Sequence, residues 1–170
     1  MDDPIDILLA ELTSTTGLPW PIVLLRLAGA LVAAGIIGFE RELDNRPAGL
    51  RTHMLTGLAA CVYCIVMLAL LDQAADKGDH IRTDPIRVVE AVTQGVAFLA
   101  AGLIVFTRGE IRGLTTGAGM WLAAAIGLAC GLGLWVLAGV TTFMALIVIR
   151  VLKIGERRML HPGKDDGPAP

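Results

Sequence analysis

The feature that most constrains the fold is the stretch from Leu114 to Ile149, which contains no Asp, Glu, Lys or Arg. A membrane-spanning helix needs about 20 mainly apolar residues, so this stretch is too long for one crossing and predicts two. The step from Gly131 to Gly133 is the natural turn between them, because glycine accepts backbone angles that other residues resist. Together with three earlier apolar runs, it predicts an all-α, polytopic membrane protein with five transmembrane helices, at residues 21–39, 54–71, 88–106, 114–130 and 134–152.

The positions of Lys and Arg predict how these spans are oriented. Ten of the 14 Lys and Arg residues fall on one side of the predicted spans and three on the other. Because cytoplasmic loops are enriched in Lys and Arg, we expect the N-terminus outside and the C-terminus in the cytoplasm. Residues 1–20 then form an outer segment, where Ile5, Leu8 and Leu12 recur at helical spacing and indicate a short amphipathic helix. Residues 153–170 form a polar cytoplasmic tail.

Composition and motifs exclude several classes of function. A formal net charge of -2 without a basic stripe argues against nucleic acid as a partner. The sequence has no Ser-His-Asp arrangement, phosphate-binding loop or zinc-binding helix motif, so it predicts no catalytic residues, no enzyme and no cofactor.

Cys61 and Cys64 lie within the second span, where cysteine behaves as a small apolar residue. The acidic loop 72–84 matches no calcium-binding pattern and is expected to be solvated, so the sequence leaves any metal site undetermined.

Small residues recur every four positions along the fourth span. Helices associate in lipid by close packing, which small residues permit. One interpretation is internal packing of the five helices, and the other is docking of a second copy or of another membrane protein. The residues of this stripe are Gly119, Ala123, Gly127 and Gly131.

Charged or amide side chains lie inside the first and third predicted spans. Charged side chains in hydrocarbon are costly and usually face a partner or a cavity. Arg26 and Glu90 lie at similar predicted depth in the first and third spans, and Gln94 lies one helical turn from Glu90. They are interpreted either as a structural pair between the two spans or as a ligand or ion site that opens outward.

The two predicted cytoplasmic loops combine arginine, acidic residues and glycine, and each leads into a helix. Thr52 and the pair Thr115–Thr116 are predicted to cap those helices. Helix starts favour anions, so the loops are suited either to an anionic group or acidic partner segment, or to clamping each other through Arg–carboxylate pairs. The candidate residues are Glu40, Arg41, Arg46, Pro47, Gly49, Arg51, Thr52 and His53 in the first loop, and Arg112, Gly113, Thr115 and Thr116 in the second.

These loop residues resemble the signatures of the MgtC/SapB family of bacterial membrane proteins. The run from Arg46 to His53 is similar to the family's hallmark, and Arg112-Gly113-Leu114 with the two threonines resembles its second signature. The resemblance covers about residues 22–150. The chain is therefore expected to be a short form of the family, without the soluble C-terminal domain that some members carry.

The resemblance implies a protein of the bacterial inner membrane that is linked to growth at low magnesium, to acid tolerance and to survival inside host cells. It favours a regulator that binds another membrane protein in the lipid bilayer. The alternative is an oligomeric transporter or channel for magnesium or another ion, which would use Arg26, Glu90 and Gln94 and would need at least a homodimer. Magnesium enters either hypothesis as the regulated or transported ion.

Overall fold

The computed structural model describes residues 17–76, 84–107 and 110–160, with isolated positions before residue 17. The helix predicted near the N-terminus and the end of the tail, 161–170, lie outside this part. The described elements are the helices α1 (Trp20–Leu43), α2 (Leu50–Asp76), α3 (Ile86–Leu103), α4 (Leu114–Gly131) and α5 (Trp135–Leu160), with the strands β1 (Val105–Thr107) and β2 (Glu110–Arg112) between α3 and α4.

Four of these helices are long and apolar enough to cross a membrane. They are α1, α2, α3 and α4, and the apolar part of α5, Trp135–Val151, is shorter. Each helix corresponds to one of the five predicted spans. The fold consists of helices, as predicted, apart from the two three-residue strands. Its helices are those of a membrane protein.

The helices extend further into the first loop than predicted. Helix α1 continues through Leu43 and α2 begins at Leu50, so only residues 44–49 connect them. The sequence predicts the first span to end at residue 39 and the second to begin at residue 54, because the apolar runs end there. In the structure the helix continues, and two of its added charged residues, Glu40 and Glu42, accept hydrogen bonds that are described below. Helix α5 likewise continues to Leu160, through residues assigned to the polar tail, since Lys and Arg are good helix formers and suit a helix C-terminus.

The end of the third span is the clearest departure from prediction. Helix α3 stops at Leu103, Ile104 adopts an extended backbone with φ −85° and ψ 111°, and the chain forms a β-hairpin. Strands β1 and β2 pair antiparallel, with Val105 opposite Arg112. The predicted continuation of the helix to residue 106 is wrong. The apolar run gave no sign of the break, because Val and Ile suit strands as well as membrane helices.

Helix α4 lies at the centre of the bundle. Eleven of its 18 residues are buried, compared with eight of 24 in α1 and two of 18 in α3. It lies parallel to α2: Gly119 faces His53, and Gly131 faces Cys61 and Cys64. The chain therefore alternates in direction, and the loops after α1 and after α3 lie at the same end, which we call the motif end.

All three cysteines lie in the core of this bundle. Cys61, Cys64 and Cys130 are each at most 1% exposed and carry free thiols. Cys61 and Cys130 pack with Ile126 and other apolar residues of α1, α4 and α5, and Cys64 lies beside Gly131 of α4. This placement agrees with their interpretation as small apolar residues within a span.

Candidate functional site

The candidate site is the motif end of the bundle, where both signature loops meet. A Cβ atom built on Gly119 of α4 would lie 3.1 Å from Nε2 of His53 in α2. The first turn of α2 is therefore in contact with the second turn of α4. The sequence predicted two similar loops on one side, and the structure places them side by side.

Glu42 caps the first turn of α2. Its Oε2 accepts a hydrogen bond of 2.9 Å from the backbone N–H of Leu50, which satisfies one of the free amide groups at the helix start and places a negative charge there. Gly49 lies against the same carboxylate, and a Cβ at position 49 would collide with it. The prediction that Thr52 caps this helix is wrong, because its hydroxyl donates to the Gly49 carbonyl at 2.9 Å.

His53 is fully buried in the first turn of α2. Its Nδ1 lies 2.8 Å from the Gly49 carbonyl oxygen, and since a carbonyl only accepts, Nδ1 carries the proton in this contact. Its Nε2 has no hydrogen-bond partner within the described part of the chain, and neither has Nε of the buried Arg41. These two residues of the signature are thus internal to the bundle.

Glu40 joins α1 to α5 through an ion pair that the sequence analysis did not predict. Its Oε2 accepts hydrogen bonds from Nη2 of Arg150 at 2.9 Å and from Nε at 3.2 Å. The Glu40 side chain is 9% exposed and that of Arg150 is 64% exposed. The partners are 110 residues apart, so no local pattern pointed to the pair. The only available signal was a charge at the end of each of two apolar runs.

The remaining residues of the first signature face outward. Arg46, Pro47 and Arg51 are exposed, whereas Glu40, Arg41 and His53 are buried. The loop therefore has an inner set of residues that binds it to the bundle and an outer set that is available for contact. We call Arg46, Pro47 and Arg51 the outer loop surface.

The second signature is divided in the same way. Arg112 and Thr115 are exposed and Thr116 is 1% exposed. Gly113, with a φ of 92°, is the N-cap of α4, and within the described residues no side-chain hydrogen bond caps this helix. The prediction that the two threonines cap α4 is therefore wrong. A side chain at 113 would also collide with the Leu103 carbonyl, so both backbone angle and space require glycine.

The three predicted intramembrane polar residues are not brought together. Nη1 of Arg26 donates a hydrogen bond of 2.6 Å to the carbonyl of Gly131, where the C-terminal end of α4 carries partial negative charge. Glu90 and Gln94 are exposed on α3. The structure thus gives Arg26 a backbone partner on α4 in place of the expected carboxylate on the third span.

The small-residue stripe lies inside the bundle. All four of its residues are buried, and Gly127 and Gly131 lie against the backbone and the cysteines of α2. In a single copy, the four residues therefore pack against neighbouring helices, as the interpretation of internal packing expects. Among the described residues, no group of three or more His, Cys, Asp or Glu is arranged to hold a metal ion.

Comparison with known proteins identifies relatives over most of this chain. The model of the MgtC family matches residues 27–158. The chain is 38% identical over 128 residues to "Putative magnesium transporter YhiD" of Escherichia coli, which covers 75% of this chain and 59% of that protein. It is 39% identical over 127 residues to Protein MgtC of Brucella abortus, with 75% and 50% covered. It is 36% identical over 145 residues to Protein SapB of Bacillus subtilis, with 82% and 62% covered.

The chain therefore spans between half and two thirds of the length of these relatives. No solved structure matches it significantly.

Proposed function

The chain belongs to the MgtC family, and we propose that it is a multi-pass protein of the bacterial inner membrane that supports growth at low magnesium by regulating a membrane partner. Because its two signature loops resemble those of the family, we extend the proposal to growth under acid and inside host cells. In this proposal it has no catalytic activity of its own.

We propose that the motif end faces the cytoplasm. The exposed arginines of both signature loops and Arg150 lie at this end, whereas Arg87 begins α3 at the opposite end. Excess Lys and Arg on one side directs that side to the cytoplasm. The N-terminus would then lie outside.

The observation that carries the regulatory proposal is the division of the first signature loop. Two of its carboxylates hold it by defined bonds, the exposed Glu42 to the start of α2 and the buried Glu40 to Arg150. The outer loop surface, with Arg46 and Arg51, is thereby held on a rigid support and remains exposed. Preorganised arginines suit recognition of carboxylates, so we propose that the partner presents an acidic segment there.

The packing of α2 against α4 also favours regulation over conduction. At Gly57 and Gly127 the two backbones are in direct contact, so there is no passage for an ion between these helices at that level. A hydrated Mg²⁺ ion loses its water reluctantly and needs a wide path.

The test is magnesium flux into proteoliposomes that contain the purified protein, beside empty vesicles and vesicles with a known magnesium channel. We expect no flux above the empty vesicles while the channel conducts. Site-specific photocrosslinking from position 51 in cells should then capture a membrane protein that the same probe at position 87, at the opposite end, does not capture. Flux above the empty vesicles would contradict the proposal.

The second candidate is an oligomeric magnesium transporter, which the name of the Escherichia coli relative favours. Glu90 and Gln94 are exposed on the outer face of α3, so a pathway that uses them would require a second copy against this face. Flux that is lost in Glu90→Ala, with the protein still folded and inserted, would support this candidate.

A further inference from the structure

A long apolar crevice runs between α1 and α5. It consists of two adjoining cavities of about 460 Å³ and 390 Å³, which share Val32, Ile36 and Leu146. The cavity nearer the motif end is also lined by Glu40 and Arg150. The other is also lined by Gly29, Trp135 and Gly139. The crevice therefore runs along the outside of the contact between the two helices, whose buried residues Ala30, Ala138 and Ala145 belong to one core cluster.

The crevice has a closed end and a charged end. At the closed end the Trp135 ring lies on Gly29, where a Cβ would be 2.5 Å from it. At the charged end lies the pair of Glu40 and Arg150. From position 29 to position 40 a helix rises about 16 Å at 1.5 Å per residue, which is close to half of the roughly 30 Å hydrocarbon thickness of a bilayer. Along α5 the crevice runs from Trp135 to Arg150, a rise of about 22 Å, so its length is between half and three quarters of the hydrocarbon thickness.

The middle of the crevice is open on its α5 side. A Cβ built on Gly139 has no atom within 4 Å, and the neighbouring Val32, Ile36 and Phe143 are exposed apolar residues. A glycine within a helix costs about 0.5–1 kcal/mol relative to alanine. Among the described residues of a single copy, no contact explains glycine at position 139.

Arg150 retains hydrogen-bonding capacity at the mouth of the crevice. A guanidinium has five N–H donors in a fixed fork, and Glu40 accepts one from Nε and one from Nη2. The side chain is nevertheless 64% exposed. Within the described part of the chain, Arg150 therefore keeps N–H donors at the mouth of the crevice that an anion can accept.

We propose that this crevice binds one acyl chain of an anionic phospholipid, with the lipid phosphate on the Arg150 guanidinium. The apolar walls take the chain, Trp135 sets its depth, and Arg150 selects the charge of the headgroup. Arg binds phosphate with two parallel hydrogen bonds, and basic residues beside a span attract anionic lipids. The proposal holds whether the protein regulates or transports, and under the proposed orientation the lipid comes from the cytoplasmic leaflet.

The test is native mass spectrometry of the full chain in detergent, titrated with phosphatidylglycerol or with zwitterionic phosphatidylcholine of the same acyl chains. We expect one phosphatidylglycerol to bind with about tenfold higher affinity than phosphatidylcholine, because both carry the phosphate but the choline cation cancels its charge and weakens the attraction to Arg150. Gly139→Leu fills the crevice and should remove the bound lipid. Gly102→Leu on α3 is the matched control, since its Cβ also meets no atom within 4 Å, and it should bind normally.

Two charge variants separate lipid binding from stability. Arg150→Gln and Glu40→Gln both break the ion pair, but only Arg150→Gln removes the phosphate ligand. We expect phosphatidylglycerol selectivity to be lost in Arg150→Gln and kept in Glu40→Gln.

Four outcomes would overturn the proposal. Equal affinity for the two lipids would remove the role of Arg150, and so would equal loss of selectivity in both charge variants. Unchanged lipid binding in Gly139→Leu would place the lipid elsewhere, and a dimer that Gly139→Leu disrupts would assign the crevice to a second copy.

Discussion

Gly127 of α4 lies directly against the backbone carbonyl of Gly57 in α2. A Cβ at position 127 would also come within 2.9 Å of the Gly57 Cα. On the other side of Gly57, a Cβ would lie 2.6 Å from that of Ala34 in α1. Three helices therefore meet at this level with almost no side chain between them, and the packing depends on the absence of side-chain atoms.

Gly127→Ala is expected to destabilise the protein by about 1–3 kcal/mol, the usual cost of forcing an extra methyl group into a packed core. Gly139→Ala is the matched control, because its new methyl group meets no atom within 4 Å. Thermal unfolding in detergent measures both. Equal melting temperatures for the two variants would contradict the close contact of α2 and α4.

Arg26→Gln is expected to lower the stability by about 1.5–3 kcal/mol, because a charged hydrogen bond to the Gly131 carbonyl is lost. Glu90→Gln should leave stability nearly unchanged, since Glu90 is exposed on α3. Chemical unfolding of both variants tests this difference. If Glu90→Gln were as destabilising as Arg26→Gln, the two residues would pair after all.

Glu42→Ala is expected to cost about 0.5–2 kcal/mol through loss of the cap on α2. The loss should be local, so hydrogen exchange should accelerate at the amide of Leu50 and in the first turn of α2. Glu42→Gln retains an acceptor oxygen and should show a smaller effect. Faster exchange throughout the bundle would mean that Glu42 supports the whole fold.

Arg46→Ala combined with Arg51→Ala is expected to abolish growth at low magnesium in a strain that depends on this protein, while its level in the membrane stays normal. The reason is that both side chains are exposed and take no part in the cap or the ion pair. Arg87→Ala, an exposed arginine at the opposite end, is the control and should grow normally. Normal growth of the double variant at normal protein level would remove the outer loop surface from the function.

The helical content was predictable because hydrocarbon requires long apolar runs and a break between them. The run from Leu114 to Ile149 is interrupted in the structure between Gly131 and Trp135, where the glycines suggested a turn. Gly133 has a φ of +76° there, which few other residues adopt.

The partners of the charged residues were not predictable. Arg26 bonds a backbone carbonyl, and every residue has one, so no sequence pattern marks it. Glu40 and Arg150 meet only because α1 and α5 run side by side, which is a property of the three-dimensional packing. The wrong prediction for Thr52 has the same cause. Threonine is suited to cap a helix, but Glu42 of α1 binds the start of α2 instead.

Because the three cysteines are buried between the helices, chemical modification of their thiols reports when the helices separate. Cys61, Cys64 and Cys130 are the chain's complete set of thiols, and each is shielded in the core beside the contact of α2 with α4. A small membrane-permeant alkylating reagent can modify them only when these helices part. The rate of thiol modification in the unaltered protein therefore measures how often the bundle opens, without any engineered label.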